Sequence, residues 1–111
     1  MANVKVLLVD DNPMVLELLR KALEPLAALT TASDSADALL KAIDDPPDLL
    51  IADYNMPGMD GRQLFEKLKS RAATARVPIV LAASRADIND KLKPLEEVIN
   101  RFQLKSKYKL G

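Results

Sequence analysis

The apolar positions of this chain fall into short unbroken runs that alternate with longer stretches of helical period. Residues 4–9 (VKVLLV) and 49–51 (LLI) are β-rich and nearly uniformly apolar, the pattern of strands buried on both faces of a parallel sheet. Each run stops at acids: Asp10 and Asp11 after the first, Asp53 just beyond the second. Asn12 and Pro13 form a helix start, and Val15, Leu16, Leu18, Leu19, Ala22, Leu23 and Leu26 repeat on one face of the helix that follows. A weaker strand is expected over residues 29–32. The second helix, capped by Ser33 or Ser35, has Ala36, Leu39, Leu40 and Ile43 as its apolar residues and ends at Pro46 and Pro47. After Asp53, Pro57, Gly58 and Gly61 break regular structure, and Asp60-Gly61 is a turn signal before a third helix over residues 62–73, with Leu64, Phe65 and Leu68 inward. Pro78 opens a fourth strand over residues 79–83. Residues 87–100 are helical in composition, with Pro94 as a kink or a new helix start, and residues 102–105 read as a fifth strand.

Strands and helices that alternate in this way imply an α/β fold with a parallel sheet and helices on both faces. At 111 residues the chain reads as one domain, residues 1–111. The residues after Lys105 are too few for another helix of ordinary length, so one sheet face, beside the first helix, is expected to lack its cover. That apolar surface would then need a partner, a second copy or the continuation of a longer protein.

Composition narrows the chemistry. The chain has neither Cys nor His, which excludes thiol chemistry, Cys or His zinc sites and any route through imidazole. Sixteen basic residues balance sixteen acidic ones, so overall charge favours neither nucleic acid nor a membrane surface. No apolar run approaches a membrane span and the first residues lack the pattern of a signal peptide, so a cytoplasmic location is expected.

In open α/β sheets ligands bind beyond the carboxyl ends of the strands. If the first and third strands are neighbours, Asp10, Asp11 and Asp53 converge there. Three unpaired carboxylates repel one another, and their pKa values rise unless a cation enters. Magnesium suits such an all-oxygen site, held by one or two carboxylates, a backbone carbonyl, waters and phosphate oxygens. One carboxylate oxygen would remain able to attack phosphorus, which makes Asp53 a candidate covalent phosphoacceptor with a nearby Lys as second cation. Asp11 and Asn12 before Pro13 also fit a plain helix cap. Lys105, followed by Lys107 and Lys109, also fits a solvated edge.

Asp10-Asp11 after a first strand, Asp53 followed by MPGMDG, and Lys105 near the end of a fifth strand together resemble the receiver domain of two-component response regulators. The resemblance covers nearly the whole chain and implies a flavodoxin-like, doubly wound sheet of five parallel strands in order 2-1-3-4-5, with the last helix absent or truncated. It further implies that Asp53 takes phosphate from a sensor histidine kinase or phosphotransfer protein. Asp11, Asp53 and the carbonyl of Asn55 would hold Mg²⁺, with Asp10 acting partly through water, and Lys105 would contact the phosphoryl oxygens. Phe102 stands where the family has an aromatic that rotates on activation. Three departures bear on output. The family's Thr or Ser at the end of the fourth strand is Ala83 here, and the adjacent Ser84 should point to the other side. The Pro that usually follows the Lys is Ser106, so no cis peptide is expected there. The missing last helix removes much of the face through which many receivers dimerise.

The leading reading is therefore a Mg²⁺-dependent phosphorylatable module that alters partner binding, alone, as a homodimer or attached to an effector domain, without enzymatic activity of its own. The competing reading is a phosphorylation-silent scaffold. A phosphohydrolase would need a substrate cavity and a general acid or base beside the nucleophile, and no residue pattern supplies them.

Overall fold

The computed structural model describes residues 4–82 and 88–108, with side chains of the last helix described over residues 90–104. Four strands, β1 (Lys5–Val9), β2 (Ala28–Ala32), β3 (Leu49–Asp53) and β4 (Ile79–Ala82), pair in parallel in the order β2-β1-β3-β4. Helices α1 (Pro13–Leu23), α2 (Ser35–Asp44), α3 (Gly61–Lys69) and α4 (Ile88–Tyr108) connect or follow them. This is the expected flavodoxin-like α/β arrangement through its fourth strand. No helix among the described residues is long and apolar enough to cross a membrane.

Alternation along each strand divides the core between two faces. Leu7, Val9, Leu50 and Ala52 point to one side, where Ala38 and Ala42 of α2 and Leu64 and Leu68 of α3 close over them. Val6, Leu8, Leu49 and Ile51 point to the other, against Leu16, Leu19 and Leu23 of α1 and Leu95 and Ile99 of α4. The face expected to lack a helix is thus covered by α4. Burying Leu95 and Ile99 contributes about 1.5–3 kcal/mol each.

The expected fifth strand is not formed: residues 102–105 lie inside α4. Leu95, Ile99 and Phe102 recur at helical spacing on one stripe, and residues 95–108 contain no Gly or Pro to end the helix. The short FQLK run is ambiguous by itself, and the longer period decides it. Pro94 sits within α4 and does not start a second helix.

Other boundaries differ by local chemistry. Asn12 caps α1 with Pro13 at the first helical position, as expected, its side chain accepting from the Met14 and Val15 N–H groups. The cap of α2 is Asp34, between the two serines, accepting from Asp37 N–H at 2.7 Å. Ser35, Ala38 and Ala42 form the buried stripe of α2, while Ala36 and Leu40 face outward. Leu18 and Phe65 also lie at the surface, not in the core. Phe65 is capped by the Lys69 ammonium 5.7 Å from its ring centre.

Candidate functional site

Strand register builds the site. Val9 of β1 lies opposite Ala52 of β3, so Asp10 and Asp53, each one residue further on, end neighbouring strands at the same level. Both continue the even-odd alternation of the α1–α4 face, Asp10 after Val6 and Leu8 and Asp53 after Leu49 and Ile51. Their side chains are buried, at 2 % and 4 % exposure, whereas Asp11 is exposed. Carboxylate oxygens of all three come within 4.8 Å of one another.

The loop after β3 is held by its small residues. Gly58 takes a left-handed φ of 74°, open to glycine at no steric cost. Gly61 N–H donates to the Tyr54 carbonyl at 3.0 Å, drawing the start of α3 across the end of β3. A Cβ at Gly61 would overlap the Asp53 carbonyl oxygen, so only glycine lets the two elements cross there. Asp60 caps α3 in a reciprocal pair with Gln63, and Ser35 Oγ donates to the Met59 carbonyl at 2.6 Å, tying the loop to α2. Tyr54 N–H donates to the Ala82 carbonyl at 2.8 Å, which extends the sheet one residue past Asp53. On the other side, Asp10 Oδ1 accepts from Asn12 N–H at 2.9 Å.

Among the described residues, the cation at this site is Lys91 of α4. Its Nζ lies 2.8 Å from Asp53 Oδ1, 2.9 Å from Oδ2, and also pairs with Asp10 Oδ2, with the lysine itself buried. Burial pushes the Asp53 carboxyl up to about 6 from an ordinary 3.8, further raised by Asp10 and partly offset by Lys91. Burial works against the charge on Lys91, but its bonds to Asp10 and Asp53 outweigh that and hold its pKa above the ordinary lysine value. One ammonium neutralises one carboxylate of the two it touches, and the pocket keeps an excess of negative charge.

Of the residues singled out from sequence, Asp10, Asp11 and Asp53 are brought together, with exposed Asn55 two residues along the loop. Phe102 is half-buried against the α1–α4 core and serves as packing there. Ala83 and Ser84 lie outside the described residues. The strand that was to present Lys105 is helix, and about 20 Å of it separates the backbones of residues 91 and 105. Lys91 escaped the sequence reading, though a signal was there. Lys91, Leu95 and Ile99 are spaced i, i+4, i+8, which sets the lysine at the end of a buried stripe. A Lys-Pro pair of the kind missing at Lys105-Ser106 also stands two residues on, at Lys93-Pro94.

The donor set suits a hard divalent cation: three carboxylates and no nitrogen or sulfur ligand, two of them buried and only partly neutralised.

Residues 6–108 match the family model described as the response regulator receiver domain. The chain is 38% identical over 105 residues to the sensor histidine kinase GacS of Pseudomonas protegens, covering 91% of this chain and 12% of that one. It is 34% identical over 104 residues to the response regulator PleD of Caulobacter vibrioides, covering 93% and 23%. The chain thus spans a quarter or less of the length of these two relatives. A putative response regulator from Chloroflexus aurantiacus superposes with a TM-score of 0.72 at 26% identity, covering 94% of this chain and 96% of that one.

Proposed function

Because this chain belongs to the receiver-domain family of response regulators, we propose that Asp53 accepts a phosphoryl group from a phosphohistidine of a sensor histidine kinase or phosphotransfer protein. The observation that carries this reading is the buried, incompletely neutralised Asp10–Asp53 pair with Asp11 beside it at the strand ends.

In the transfer, an Asp53 carboxylate oxygen attacks phosphorus in line with the leaving group. The new O–P bond forms as the P–N bond to the donor imidazole breaks, and the imidazole leaves with the electron pair. Asp10, Asp11, Asp53 and the Asn55 carbonyl would hold Mg²⁺, whose positive charge offsets that of the phosphoryl oxygens. Lys91 supplies the tethered cation beside Asp53, the part that the family resemblance gave to Lys105. Gly61 lets the start of α3 cross close over the Asp53 carbonyl, and Asp10 is oriented by the Asn12 N–H. The altered Asp53 then changes the affinity of this domain for a partner or an attached effector domain in the cytoplasm.

Lys91 in the pocket also favours a second reading. An ammonium already paired with Asp53 and Asp10 is what a phosphorylation-silent scaffold would retain. Intact-mass spectrometry with acetyl phosphate, with and without Mg²⁺, separates the two. A Mg²⁺-dependent gain of one phosphoryl group that Asp53→Asn abolishes supports the acceptor. No gain under any condition leaves the scaffold.

A further inference from the structure

We propose that the outer edge of β4 pairs with the same edge of a second copy of this chain, joining two sheets across a two-fold axis. The open backbone of this strand carries the inference, together with how differently the sheet's other edge is closed.

Among the described residues, β4 is the last strand of the sheet, in the order β2-β1-β3-β4. Leu50 N–H donates to the Pro78 carbonyl and Tyr54 N–H to the Ala82 carbonyl, so the even-numbered residues of β4 turn their backbone groups toward β3. The N–H and C=O of Ile79 and Leu81 then point away from the sheet, and among the described residues neither has a partner there. The opposite edge is guarded. In β2 the bonds of Ala28 and Ala32 to β1 turn Thr31 outward, and the Lys41 ammonium covers its carbonyl at 2.7 Å. β2 also carries the polar side chains of Thr30 and Thr31, whereas Ile79–Ala82 has no charged residue, no proline and no polar side chain, the devices that ordinarily keep an edge from pairing.

A second copy fits this edge because the strand is self-complementary. With the two strands antiparallel about Val80, Ile79 of one copy stands opposite Leu81 of the other, and each such pair exchanges both of its backbone hydrogen bonds. Between these pairs the two Val80 residues face each other at the close, non-bonded position, about 4.5 Å apart at Cα. Ile79 and Leu81 are half-buried on the α2–α3 side, and Val80 and Ala82 on the α4 side, so an added strand covers apolar area on both faces. A cavity of about 160 Å³ between β4 and α4, lined in part by Val80, Ala82, Pro94, Leu95 and Val98, leaves the α4 side underfilled. Sixteen basic and sixteen acidic residues give the chain no net charge, so two copies meet without overall repulsion.

The test uses the whole chain, which has no Cys of its own. Sedimentation velocity at rising concentration should show a reversible shift from monomer to dimer. Leu81→Pro removes an outward N–H from each copy without touching a bond to β3, and should raise the dimer dissociation constant about tenfold. Single cysteines then report the register. Val80→Cys puts two thiols at the close position, within the span of a disulfide. Mild oxidation should cross-link it about tenfold faster than Ile79→Cys, whose thiols lie two residues, about 7 Å, out of register. A wild-type chain that stays monomeric into the millimolar range would overturn the inference and leave the edge to a strand from another protein. So would undiminished dimer affinity in a folded Leu81→Pro, or equal cross-linking at the two cysteine positions. If Leu81→Pro does not fold, the two cysteine variants decide the matter by themselves.

Discussion

Replacing Asp53 by Asn should make the metal-free protein more stable, although it removes one partner of a buried ion pair. Burial dominates the Asp53 environment and holds its carboxyl at about 6, against 3.8 in an unperturbed chain. With the folded value above the unfolded one, the folded chain holds an extra proton between pH 4 and 6. The stability this adds is complete below pH 4 and is lost as pH rises through 6. At 1.36 kcal/mol per pH decade, that loss amounts to about 3 kcal/mol. Sharing of Lys91 between two carboxylates and water at the mouth of the pocket bring the expected figure to about 1.5–3 kcal/mol. The substituted amide has no proton to lose and is close in shape to the neutral acid. Asp53→Asn should therefore match wild type near pH 4 and exceed it by about 1.5–3 kcal/mol at pH 7.5, or about 6–12 °C in Tm. The assay is thermal and urea unfolding followed by far-ultraviolet circular dichroism in EDTA from pH 4 to 8. Adding Mg²⁺ should then stabilise the wild type and leave the variant nearly unmoved. A variant less stable than wild type at pH 7.5, or a gap that does not change with pH, would refute the view that the pocket holds uncompensated charge.

Two further outcomes test how the site is held. Gly61→Ala should cost about 2–4 kcal/mol in chemical denaturation and slow acetyl phosphate labelling, because its Cβ would displace the Asp53 carbonyl; an unaltered protein would mean that α3 does not cross β3 so closely. Ile99→Ala should cost about 2–5 kcal/mol by urea unfolding of the isolated chain, since Ile99 is fully buried between α4 and the sheet. A negligible loss would return that face to an external partner.

Much of this architecture was legible in the chain because the signals were local or strictly periodic. The β1 and β3 runs have no helical alternative, and acids at their ends place Asp10 and Asp53 together once the strands pair in register. Asn12-Pro13 is self-contained cap chemistry. What failed depended on tertiary context. Leu40 and Phe65 have apolar character without core positions, because α2 packs through Ser35, Ala38 and Ala42 and α3 through Leu64 and Leu68. The FQLK run looks like a strand over four residues and helix over fourteen. That one choice removed the fifth strand, covered the α1 face and moved the tethered cation from Lys105 to Lys91. A buried lysine has no pattern of its own; it becomes visible only when the stripe formed by Leu95 and Ile99 is carried back one turn toward the strand ends.

The central claim is that Asp53 is the phosphoacceptor, and it is tested most directly by trapping the acyl phosphate. The protein would be treated with acetyl phosphate and Mg²⁺, reduced with borohydride, which converts a phosphorylated aspartate to homoserine, and mapped by peptide mass spectrometry. Homoserine is expected at position 53, and it should be lost when Mg²⁺ is replaced by EDTA. Homoserine at Asp10, Asp11 or elsewhere, or none at all with the fold intact, would contradict it.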